Sequence, residues 1–97
     1  MYPSDPASYV SHFLAAAEAH NQERMLRLSN ATTANRMTNA TQLDGVADVK
    51  DLGGGYSQVD RHQNNRTDPW YSFKVLSAPG GKAGAIASAC AGYGCAL

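Results

Sequence analysis

The stretch DPASYVSHFLAAAEAHNQERMLRLSNATTANRM, residues 5–37, decides the fold. Asp5 can accept a hydrogen bond from a first-turn N–H as an N-cap, and Pro6 at the first helical position gives up no intrahelical bond. A helix is therefore expected to begin near residue 6. Val10, Phe13, Leu14 and Ala17 then fall at i, i+3, i+4 and i+7, Tyr9 and Ala16 widen the stripe, and Ser11, His12 and Glu18 lie nearer the polar side. The alanines at 15–17 and 19 favour helix and let a partner surface approach closely. His20-Asn21-Gln22 breaks the pattern, and Asn21 can cap a second helix before Met25, Leu26 and Leu28. Ser29 or Asn30 can cap a third, shorter pattern carrying Ala31, Ala34 and Met37.

Beyond Asn39 the spacing changes to short stretches divided by glycine. Asp44-Gly45 is a hairpin-type dipeptide that strands should flank. Residues 46–52 mix both faces and read as a short strand ended by Gly53-Gly54-Gly55. Residues 56–62 alternate, with Tyr56, Gln58, Asp60 and His62 on one side and Ser57, Val59 and Arg61 on the other. Residues 62–68 are turn formers, and Pro69 disfavours helix at Asp68. Residues 70–76 give the clearest strand signal, because Tyr71, Phe73 and Val75 share a face opposite Ser72 and Lys74. After the turn at Ala78-Pro79-Gly80-Gly81, a last strand is expected over residues 83–90, followed by a loose tail at 91–97. At a sheet edge that last strand would be a template for pairing with another copy.

Residues 9–37 resemble the helical opening of the NTF2-like superfamily, which includes SnoaL-like cyclases and small actinobacterial α+β proteins. The shared traits are a long amphipathic helix, a polar break, a leucine-containing short helix and a third helix. The resemblance implies an α+β fold with N-terminal helices packed on a short curved antiparallel sheet. This chain is shorter than the usual member, so the expectation is a reduced NTF2-like cone. It forms one domain over residues 1–97, with helices at about 6–38 and sheet at about 40–90.

A chain of 97 residues makes one domain that buries roughly 60–65% of its unfolded surface. Eight basic and eight acidic side chains give a formal net charge of zero. That balance removes the electrostatic case for nucleic acid or an anionic membrane as partner. No apolar run approaches the ~20 residues that span a bilayer. Residues 1–10 lack the basic and apolar blocks of a signal peptide, which favours a cytoplasmic location. Cys90 and Cys95, the two cysteines present, are too few for a four-cysteine zinc site. Composition favours two unpaired thiols; the alternative is a disulfide closing a small ring, with Gly92 and Gly94 helping the backbone bend.

Candidate chemistry is thin. Gly80-Gly81-Lys82 invites a phosphate-loop reading, but Leu76 and Ala83 stand where that motif needs a glycine and a Ser or Thr. Asp60 and His62 would share a strand face, where a carboxylate could orient an imidazole for acid–base work. The surrounding Arg61, Asn64, Asn65, Arg66 and Asp68 favour a solvated strand end instead. The resemblance implies a catalytic role for Asp60 and His62, since SnoaL-like enzymes use pocket acids and histidines in this manner. Trp70, Tyr71 and Phe73 are candidates to line a ligand site. His12 and His20 lie about 80° apart around a helix axis and share no ligand face. The residues call for no cofactor and no metal.

The leading expectation is a small non-enzymatic module that binds another protein, or its own copy as a homodimer, through an incomplete sheet. One alternative is a SnoaL-like enzyme transferring a proton on a small apolar ligand. Another is a secreted structural protein with Cys90 bridged to Cys95.

Overall fold

The computed structural model describes residues 2–43, 47–63 and 66–97. Among them three helices precede four strands: α1 (Pro6–Glu18), α2 (Gln22–Leu28), α3 (Ala31–Arg36), β1 (Ala47–Gly53), β2 (Tyr56–His62), β3 (Pro69–Leu76) and β4 (Ile86–Ala91). The strands form an antiparallel meander in the order β1-β2-β3-β4, and the sheet does not close. This is the α+β class expected from the sequence.

Each helix starts on a side-chain cap. Asp5 accepts from Ser8 N–H at 2.9 Å, Asn21 from Arg24 N–H at 3.1 Å and Asn30 from Thr33 N–H at 2.9 Å. Ser8 donates to the Asp5 carboxylate from its backbone and its side chain, which stabilises the charged form and lowers the carboxyl pKa. Helix α1 ends on His20, a non-glycine residue at φ 57°. Around it His20 N–H bonds Ala17 C=O at 3.0 Å and Asn21 N–H bonds Ala16 C=O at 2.8 Å. That pair of bonds is the Schellman ending, which satisfies carbonyls the helix would otherwise leave open.

The core lies between the helices and one face of the sheet. Tyr9, Phe13 and Leu14 of α1 meet Val59, Phe73 and Val75, all fully buried. Phe13 and Phe73 pack edge to face at 5.6 Å. Tyr9 spans the layer: its hydroxyl donates to Lys82 C=O at 2.6 Å and accepts from Ala85 N–H at 3.3 Å. Burial raises the pKa of this phenol.

Several expectations change. Residues 40–43 form no strand, because they are strapped to their neighbours. Thr41 N–H donates to the Tyr71 hydroxyl at 3.1 Å, and Gln42 Nε2 donates to Ser11 C=O at 3.0 Å. The hairpin reading of Asp44-Gly45 lies outside the described residues. Between β1 and β2 the turn falls at Gly54 and Gly55, at φ 64° and 86°, the two positive values that a tight type I′ hairpin requires. The last strand begins at Ile86 rather than 83, because Gly84, at φ 69°, turns to donate its N–H to Arg27 C=O at 2.8 Å. The tail is not loose. Cys95 is bonded to Cys90, so the favoured reading of unpaired thiols is corrected. Gly92 and Gly94, at φ 103° and 79°, fold the chain until the two Cα atoms are 6.0 Å apart.

Candidate functional site

The helix-free face of the sheet is polar, and several of its side chains are already paired. On β2, Asp60 accepts from Gln58 Nε2 at 2.9 Å and from Ser72 Oγ at 2.7 Å. His62 turns elsewhere: its Nε2 lies 2.8 Å from Asp48 Oδ2 on β1. The two residues considered as a dyad are therefore engaged with separate partners. Asp48 of β1 stands opposite Asp60, so His62 reaches across to the neighbouring strand rather than along its own. The register shift beside it leaves Trp70 of β3 as the extra residue, and Arg61 and His62 are both buried. Among the described residues His62 Nδ1 and Arg61 Nε have no hydrogen-bond partner. Arg61 instead reaches beneath α1, donating to Leu43 C=O at 2.7 Å and Ser11 Oγ at 3.3 Å.

Of the three candidate ligand-binding aromatics, Phe73 is fully buried in the core and Tyr71 nearly so. That position corrects the reading of Phe73 as a ligand contact: it faces Phe13, not an open site. Tyr71 is held by its hydroxyl on Thr41. Trp70 is half-buried, with the Tyr93 ring 4.8 Å away, and the Arg66 guanidinium lies 4.3 Å above Tyr93. The Cys90–Cys95 bond returns the tail across the polar face, leaving a groove of about 500 Å³. Gln58, Ser72, Lys74 and Ser88 line it on the sheet side and residues 95–97 on the tail side. Neither Asp60 nor His62 lines this groove.

The two edges of the sheet differ sharply. In an antiparallel ladder the backbone groups of successive residues alternate between the two neighbouring strands. Ser77 N–H donates to Gly55 C=O at 2.9 Å, which assigns Ser57, Val59 and Arg61 to β3 and Gln58 and Asp60 to β1. Asp48 and Lys50, opposite these last two, are thus engaged with β2. The N–H and C=O of Val49 and Asp51 point out of the sheet, where no described strand lies.

The far edge is covered. Outward carbonyls of β4 are taken by Asn30 Nδ2, 2.9 Å from Ala87 C=O, and by Arg36, whose guanidinium donates to Ala89 C=O at 3.2 Å. This corrects the expectation that the last strand offers the pairing edge: side chains from the start and end of α3 already occupy it. Strand β1 is the exposed one, with Val49 at 49% and Leu52 at 43% exposure.

Asp48, Val49 and Lys50 are the residues the sequence did not single out. The alternation Asp-Val-Lys was visible in the chain; which edge the helices leave uncovered was not. Among the described residues no group of three or more His, Cys, Asp or Glu side chains could hold a metal, and no helix is long and apolar enough to cross a membrane. Compared with protein-family models, with curated proteins and with solved structures, the chain has no match.

Proposed function

We propose that this chain is a non-enzymatic binding module that recognises protein by adding an extended strand to β1. One observation carries the reading: β1 is exposed almost throughout and directs the backbone groups of Val49 and Asp51 outward, while Asn30 and Arg36 occupy the opposite edge. Main-chain bonds at such an edge supply affinity and the flanking side chains supply selectivity. Helices laid over a short open meander support reading the chain as a reduced relative of the NTF2-like group. Tyr9, Phe13, Val59 and Phe73 fill the space between helices and sheet, which weighs against proton transfer on an enclosed substrate.

The Cys90–Cys95 bond supports placing this module in an oxidising compartment. Thiol titration of the protein before and after reduction tests that placement.

Val49→Pro tests the edge. Proline removes an N–H that faces away from β2, so the β1–β2 ladder survives while the outer edge is blocked. Peptides selected from a displayed library of extended sequences are expected to bind the native chain and lose binding to the Val49→Pro protein. Selected peptides that bind both equally would overturn the reading.

A further inference from the structure

Strand β1 carries a charge pattern that complements itself. Building on the reading of β1 as the binding edge, we propose that its occupant is β1 of a second copy, paired antiparallel about a two-fold axis at Val49. Three observations converge on this register. The N–H and C=O of Val49 face outward, as assigned by the Gly55–Ser77 bond and the β1–β2 register, so two Val49 residues can exchange both bonds across the axis. Asp48 then stands opposite Lys50 of the second copy, and Lys50 opposite its Asp48. Both pairs fall at non-hydrogen-bonded positions, where facing side chains come closest and opposite charges attract.

Neighbouring registers fail by charge. An axis at Asp48 sets two aspartates face to face, and an axis at Lys50 sets two lysines face to face. Only the axis at Val49 satisfies both signs. On the other face it brings together two Val49 side chains, each 49% exposed in the single chain, and continues the apolar row that Val59 begins. Asp48 can serve two partners at once, because its side chain is 68% exposed although Oδ2 faces His62. The contact is isologous, as a two-fold pair requires.

Charge reversal on the full chain tests the register, with association read by sedimentation equilibrium. The native chain is expected to dimerise. Asp48→Lys and Lys50→Asp should each weaken dimerisation by about tenfold or more, since each converts two attractive pairs into two repulsive ones. Mixing the two variants should restore a heterodimer to within about threefold of native affinity, as should the double variant, because each again faces unlike charges. Thermal melts of the variants separate loss of association from loss of fold; Lys50→Asp is the cleaner variant because it spares the Asp48–His62 pair.

A native chain that stays monomeric at millimolar concentration overturns the proposal, and so does a dimer indifferent to both reversals. If the native chain is monomeric while library peptides still bind in a Val49-dependent manner, β1 remains the binding edge and only the choice of a second copy fails.

Discussion

Asn30 does two jobs with one amide. Its oxygen caps α3 through Thr33 N–H, and its nitrogen donates to Ala87 C=O. Asn30→Asp keeps the cap but sets a carboxylate against a carbonyl, so it should cost about 1–3 kcal/mol in chemical denaturation; Asn30→Ser, which caps without the clash, should cost less. The first job was legible because N-capping is local. The second was not, since its acceptor lies 57 residues away. His20 is the converse case. A polar break was readable there, but nothing local required a left-handed residue, so His20→Gly is expected to raise stability by up to ~1 kcal/mol in a thermal melt. Asp5 gives a pH signature. Its folded pKa lies below the unfolded value of 3.8, so its contribution is present above that value and lost as pH falls through the folded pKa. Asp5→Asn should retain the cap and flatten the acid limb of the stability profile.

At the level of elements, the helices were legible and the sheet only in part. Each helix is announced within a few residues by its cap and its stripe. Strand β3 was also plain, because Tyr71, Phe73 and Val75 bury one face. Strand β1 was obscured by the register shift between Asp51 and Gly53, which places Leu52 outside the alternation. For Asp60 and His62 the period-two count could not show the partners that neighbouring strands supply, Ser72 to Asp60 and Asp48 to His62. The tail depended on a covalent bond that composition did not favour. Its ring is small, so reduction of Cys90–Cys95 should cost about 2 kcal/mol or less. The bond also holds the turn carrying Tyr93 against Trp70, the single tryptophan. Reduction is therefore expected to shift Trp70 fluorescence while far-UV circular dichroism stays native; a lost far-UV signal would show that the tail supports the core.

For the whole molecule, one small core carries the stability. Phe73 sits at its centre with no exposure and packs on Phe13. Phe73→Ala is expected to cost ~3–5 kcal/mol, a large part of what so small a domain has, and a melt close to native would contradict this. The sheet that completes the core has β1 at its exposed edge, so a change in β1 that spares the ladder to β2 is expected to alter the proposed association without unfolding the protein.

The sealing of β4 by Asn30 and Arg36 has a further consequence for growth. A sheet with two free flanks can add copies without limit and become a fibre. Among the described residues this sheet has one uncovered flank, so a copy joined through β1, as proposed, would have no second flank to offer and assembly would end at two. Removing the seal, with Asn30→Asp and Arg36→Ala together, should turn a self-limiting pair into an open-ended polymer, visible as rising light scattering over time.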